Sequence, residues 1–135
     1  MNMEPPGLLL ALSDAPRALT DAAFLTIASP LLRRLPPAPR PKSVMVIPGF
    51  LGDDRGNGPL IRFLGHLGYT ASGWGQGRNL GTQSFSEDSL REAIEPLLSA
   101  GNGKVSLIGH SLGGIYAREI ARVDPQWIDQ VITLG

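Results

Sequence analysis

The sequence predicts an α/β fold: a parallel sheet with helices on both faces, preceded by an N-terminal helix. Three observations carry the prediction. Short apolar runs alternate with amphipathic stretches between residues 43 and 134, and such alternation builds parallel strands joined by crossover helices. Ser43 to Ile47 and Val105 to Ile108 are short, largely apolar runs, as strands covered on both faces are. One of them, Val105 to Ile108, turns through Gly109-His110-Ser111-Leu112-Gly113 directly into a helical pattern.

The elements follow in order. Residues 1 to 42 are read as an N-terminal helix and a Pro-rich linker, and residues 43 to 135 as the core. Arg17 to Leu35 reads as a helix. Leu19, Ala22, Ala23, Ile27 and Leu31 cluster on one side, and Pro30 is expected to kink it or end it early. Pro36, Pro37, Pro39 and Pro41 make an extended linker. Ser43 to Ile47 is a short strand closed by Pro48-Gly49. Asp53, Asp54, Gly56, Asn57 and Gly58 read as a polar loop. A helix is expected from about Pro59, with Leu60, Phe63, Leu64 and Leu67 at i, i+3, i+4 and i+7, ending at Gly68.

Tyr69 to Trp74 is the next strand, followed by a glycine-rich loop from Gly73 to Gly81. A helix starting near Ser84 is announced by Ser84-Phe85-Ser86-Glu87, which fits a capping box. Leu90, Ile94, Leu97 and Leu98 form its apolar face, and Pro96 predicts a kink or break. Gly101-Asn102-Gly103 turns the chain into the Val105 strand. The helix after Ser111 repeats Leu112, Ile115, Tyr116, Ile120 and Val123 and stops before Pro125. Ile128 to Leu134 is the last strand.

Composition narrows the function. Of 135 residues, 42% are apolar and 18% charged, which suits a globular protein. Twelve basic residues balance twelve acidic ones, so no basic excess points to nucleic acid. The chain has no cysteine and two histidines, His66 and His110, too few and wrongly placed for a zinc site. No apolar stretch reaches the ~18 residues of a membrane span. The first residues lack the basic start of an export signal, so the sequence reading places the protein in the cytoplasm. Arg33, Arg34, Arg40 and Lys42 could edge a membrane-surface helix. A helix packed on the domain with solvated charges is the preferred reading of so modest a patch.

The chemistry gathers at Ser111. A strand that becomes a helix within five residues must bend sharply, and the bend falls on the serine. Its hydroxyl then projects clear of the sheet, while Gly109 and Gly113 approach each other too closely for side chains. A glycine-rich turn that happens to hold a serine would be the plain alternative. The strand before and the helix after favour the nucleophile. Ligands bind such sheets beyond the carboxyl ends of the strands, where Pro48-Gly49-Phe50, the Gly73 to Gly81 loop and Ser111 all lie.

The backbone N–H of Leu112 is one candidate donor for a developing oxyanion, and that of Phe50 the second. Leu51, His110, Arg78 and Asn79 are candidates for substrate contact. Gly73 to Gly81 does not fit a dinucleotide fingerprint, since Arg78 and Leu80 stand where glycine is needed. Gly101-Asn102-Gly103-Lys104 fails as a phosphate loop because Val105 replaces the hydroxyl residue. His66 is expected on the outside of its helix. His110 is expected to leave the turn in another direction, so neither is well placed as a base for Ser111.

With these residues in view, the chain resembles the α/β-hydrolase superfamily. Val46 to Asp53 and Val105 to Gly114 are similar to lipase and esterase members, and Gln130 to Gly135 resembles the strand after their elbow helix. The resemblance implies a partial α/β-hydrolase fold and a serine hydrolase that cleaves carboxylic esters through an acyl-enzyme on Ser111. It implies no cofactor and a small ester or lipid substrate, with oxyanion N–H groups on Phe50 and Leu112. The family places an acid and then a histidine after the serine, and no histidine follows Ser111 here. The chain therefore reads as the N-terminal part of such an enzyme, with the acid and base of the triad missing. A non-catalytic remnant that serves as a binding module, and an acyltransferase using the same nucleophile, are the alternatives.

Overall fold

The structure is a computed structural model that describes residues 28 to 83 and 86 to 135. The chain divides into two units, Met1–Leu35 and Pro36–Gly135. Of the first, residues 28 to 32 are helical and the chain then turns. The Arg34 N–H bonds the Leu31 carbonyl and the Leu35 N–H that of Leu32, a tightened last turn. The helix thus ends before Leu35, and the expected part from Arg17 to Ile27 lies outside the described residues.

The second unit is an α/β fold. Its sheet holds β1 (Ser43–Ile47), β2 (Thr70–Gly73), β3 (Val105–His110) and β4 (Ile128–Leu134) in the order β2-β1-β3-β4. All pairs are parallel. The helices are α1 (Asp54–His66), α2 (Glu87–Ala100) and α3 (Leu112–Val123). Short 3-10 turns occupy Gly81–Gln83 and Pro125–Trp127.

Strand composition follows strand position. β1 and β3 are central, and every residue from Ser43 to Ile47 and from Val105 to Gly109 is buried. The period of two sends Val44, Val46 and Ile108 to one face, where Leu60, Ile61 and Leu64 of α1 cover them. Met45, Ile47, Val105 and Leu107 face the other way into the larger core. There Leu90, Ile94 and Leu97 of α2 meet Tyr116, Ala117 and Ile120 of α3. Helices therefore cover both faces, as the sequence predicts. The edge strands β2 and β4 are only partly buried. A bulge at the start of β4 lets Val105 pair with Ile128 and Ser106 with Gln130, leaving Asp129 as the extra residue.

Three expected boundaries move. α1 begins at Asp54 rather than near Pro59, because Asp53 is an effective N-cap. Its carboxylate accepts from the N–H groups of Arg55 and Gly56 at 3.0 and 3.1 Å. The cap of α2 is Ser86, whose side chain accepts from the Ser89 N–H at 3.5 Å. Ser84 and Phe85 of the expected capping box lie outside the described residues. Pro96 does not break α2, which runs on to Ala100. Pro96 and Glu92, four residues earlier, are both exposed, so water can satisfy the carbonyl the proline leaves free. Residues 36 to 42 run along the far end of α1, where the Ala38 N–H bonds the Leu67 carbonyl at 2.8 Å.

Candidate active site

From β1 the chain crosses to β2 on one side of the sheet and then to β3 on the other. The connections leaving β1 and β3 thus diverge, which opens a crevice beyond their carboxyl ends. The loop after β1 and the turn after β3 form this crevice. A Cβ built on Gly49 would come 3.4 Å from the Ser111 Cβ, so the two segments touch.

Ser111 is the turn between β3 and α3. Its φ is 50° and its ψ −117°, a backbone state that a residue with a Cβ rarely adopts. The flanking packing enforces it. A side chain on Gly109 would collide with the backbone of Gly113 and Gly114. One on Gly113 would strike the backbone carbonyl groups of Ile47 and Pro48, 2.7 Å away in the case of Pro48. A Cβ on Gly114 would press on Thr133 at 3.1 Å. The Ser111 N–H is spent on the Leu134 carbonyl at 2.8 Å, and the Ser111 carbonyl accepts from Gly114 at 2.8 Å. The backbone is tied on both sides while the side chain remains exposed. Leu112 is the first residue of α3, and its N–H has no acceptor within the helix. It sits at the positive end of the helix dipole.

The loop after β1 is a tight turn. The Gly52 N–H donates to the Gly49 carbonyl at 3.0 Å, and Leu51 has φ 63°. This is the pattern of a type II turn, in which glycine normally takes the position of Leu51. The Leu51 N–H donates to the Asn79 carbonyl at 2.7 Å. Two of the turn's three consecutive N–H groups are therefore spent within the fold, and the third belongs to Phe50. Phe50 and Leu51 are 60% and 56% exposed, and Leu80, next to Asn79 in the β2 loop, is 49% exposed. The three are exposed apolar residues on two loops that the Leu51–Asn79 hydrogen bond joins.

The loop from Gly73 to Gly81 is held from below. Trp74 is fully buried and stacks on Tyr116 with ring centroids 6.4 Å apart. Burial pushes the Tyr116 hydroxyl pKa up. The Asp54 carboxylate accepts from the Trp74 and Gly75 N–H groups, each at 3.0 Å. The Gln76 amide donates to the Trp74 and Ser89 carbonyls, joining the loop to α2.

The residues nominated from the sequence fall into three groups. Ser111 and Leu112 lie in the turn after β3, against Gly49 of the loop that carries Phe50 and Leu51. His110 is exposed beside it. Its Nδ1 lies 3.1 Å from a Cβ built on Gly49 and its Nε2 3.9 Å from one on Gly135. No hydrogen bond joins its ring to Ser111 among the described residues. Arg78 is exposed in the β2 loop, whereas Asn79 is fully buried beneath it. His66 is exposed in the last turn of α1. The sequence reading missed Asp54 and Trp74 as the anchors of this loop. The one signal for them was a tryptophan set in a run of glycines.

An apolar cleft lined by Leu90, Ile94, Ile120, Val123 and Trp127 opens between α2 and α3, and none of the nominated residues lines it. Among the described residues no group of three acidic or histidine side chains is placed to hold a metal ion. Nor is any helix among them long and apolar enough to cross a membrane.

Comparison with known proteins gives a partial likeness. The chain is 40% identical over 55 residues to a triacylglycerol lipase of Pseudarthrobacter phenanthrenivorans, covering 41% of this chain and 17% of the lipase. It is 40% identical over 55 residues to a triacylglycerol lipase of Burkholderia plantarii, covering 41% and 15%. The chain thus spans less than a fifth of the curated relatives it matches. No family model and no solved structure matches it.

Proposed function

We propose that the chain carries the nucleophile and oxyanion site of a serine ester hydrolase of the lipase type. The observation that supports this best is the φ of 50° at Ser111, held between a strand and a helix by glycines that admit no side chain. Backbone strain in an exposed serine at a crevice marks a group kept in position for chemistry. The likeness to triacylglycerol lipases supports a lipid or ester substrate.

In this reading the Ser111 Oγ attacks the ester carbonyl carbon. The carbonyl π pair moves to oxygen, and the N–H groups of Phe50 and Leu112 stabilise the resulting oxyanion. Collapse expels the alkoxide, which takes up the proton lost by the Ser111 hydroxyl and departs as the alcohol, and the acyl group left on Ser111 is released as the acid by water. Phe50, Leu51 and Leu80 flank the acyl chain. The hydroxyl proton needs an acceptor, and no histidine is hydrogen-bonded to Ser111 among the described residues. The 135-residue chain is therefore expected to turn over p-nitrophenyl acetate slowly. Turnover that is robust and lost in both Ser111→Ala and His110→Ala would make His110 the base.

A thiol separates nucleophile placement from the need for a base, because much of it ionises unaided near its pKa of about 8.5. The chain holds no cysteine, so Ser111→Cys introduces a single thiol. At pH 8 it is expected to take one butyryl group from p-nitrophenyl butyrate, faster than N-acetylcysteine at equal thiolate concentration. Acylation no faster than that of the free amino acid would refute the reading.

A further inference from the structure

We propose that Asn79 is a positioning residue that aims the Phe50 N–H at the oxyanion, a role that rests on the hydrolase reading above. Asn79 is fully buried, so its side chain does not reach a substrate. Its side-chain amide donates to the Pro48 carbonyl at 2.8 Å, and its Oδ1 accepts from the Gly81 N–H at 3.0 Å. Its backbone carbonyl accepts from the Leu51 N–H at 2.7 Å, and its backbone N–H donates to the Gly52 carbonyl at 2.8 Å.

These bonds bracket one peptide. The Phe50 N–H belongs to the peptide between Gly49 and Phe50. The preceding peptide is pinned through the Pro48 carbonyl, and the following one through the Leu51 N–H. Asn79 holds both. The peptide between them donates its N–H to no acceptor among the described residues, and its own Gly49 carbonyl accepts from the N–H of Gly52, whose carbonyl in turn accepts from the Asn79 N–H. The Leu51 arm uses the Asn79 backbone carbonyl, which any residue supplies, so the side chain contributes the Pro48 arm through its donor and the Gly81 anchor through its acceptor. An aspartate lacks the donor when ionised, and a hydrophobic residue lacks both groups. The Gly81 bond anchors the clamp in the β2 loop, which Trp74 and Asp54 hold against the core. Donor placement matters because an oxyanion hole acts through groups already aimed where charge develops.

The test uses the full chain carrying Ser111→Cys, with and without Asn79→Asp or Asn79→Ala. Two reactions of the same thiol are timed. Acylation by p-nitrophenyl butyrate passes through an oxyanion. Exchange with 5,5′-dithiobis(2-nitrobenzoate) attacks a disulfide sulfur and forms none. Asn79→Asp keeps an acceptor for Gly81 and sets another acceptor against Pro48, whereas Asn79→Ala removes both bonds. Each is expected to slow acylation by about 10- to 100-fold while leaving disulfide exchange unchanged.

Unchanged acylation in both variants overturns the proposal. So does an equal loss in both reactions, or loss of the folded circular-dichroism spectrum in both variants, since either makes Asn79 purely structural. If Ser111→Cys alone is acylated no faster than N-acetylcysteine, the hydrolase reading itself falls, and the two failures are told apart.

Discussion

Ser111 keeps a φ of 50° with ψ −117° although such sparsely populated states cost a residue with a Cβ about 1 to 3 kcal/mol. The surrounding glycines over-determine it, and they differ sharply from glycines elsewhere. Gly113→Ala would drive a methyl into the Ile47 and Pro48 carbonyls, which belong to the backbone of the central strand and its loop. It is expected to cost more than about 2 kcal/mol. Gly65 sits in α1, and a Cβ built there would meet nothing within 4 Å. Gly65→Ala is therefore expected to stabilise by about 0.5 to 1 kcal/mol. Urea unfolding of the two variants checks the opposite signs. The serine and its glycines were legible because the motif is contiguous. The roles of Asn79 and Asp54 were not, because their bonds reach residues 31, 20 and 21 positions away. A buried asparagine in a glycine-rich loop looks the same in sequence as a solvated one.

The four strands were legible from their apolar runs and the buried face of α2 from its periodicity, whereas in α3 Ile115 and Val123 of the expected pattern stay exposed and α1 seats Ile61 beside Leu60 and Leu64. Helix starts were less legible. Gly56, Gly58 and Pro59 argue against helix by propensity, and the sequence reading places α1 after them. The cap at Asp53 and the apolar seat under Leu60, Ile61 and Leu64 outweigh that local cost. With three poor helix formers in its first half, α1 should lean heavily on its cap. Asp53→Ala is expected to destabilise by about 1 kcal/mol. Amide hydrogen exchange should show the lost protection concentrated between Asp54 and Gly58, and uniform loss along α1 would count against the cap.

The sheet order β2-β1-β3-β4 creates the crevice, and nothing in local patterning specifies it. Periodicity says which residues share a face, not which strands are neighbours. At the opposite end of the sheet, Lys42 reaches Asp129 at 2.5 Å, linking the start of β1 to the bulge of β4 across β3. The Lys42 ammonium, helped by the Ser106 hydroxyl, holds the Asp129 carboxyl below its ordinary value of 3.8. A carboxyl lowered by folding stabilises fully above that ordinary value, and its contribution is lost as pH falls through the lowered one. Asp129→Asn should therefore flatten the fall in Tm below about pH 4. The pair is partly exposed and its effect at neutral pH should be small. An identical acid profile in both proteins would remove Asp129 from the explanation.

At the heart of the proposed chemistry, an oxyanion formed at Ser111 is held by the backbone N–H groups of Phe50 and Leu112. The most direct measurement is a crystal structure of the chain phosphonylated on Ser111 by a p-nitrophenyl alkylphosphonate, whose phosphoryl oxygen stands where the oxyanion would. Both nitrogens are expected at about 2.7 to 3.1 Å from that oxygen. A phosphoryl oxygen turned to solvent, or held by other groups with the Phe50 and Leu112 nitrogens out of hydrogen-bond reach, would contradict it.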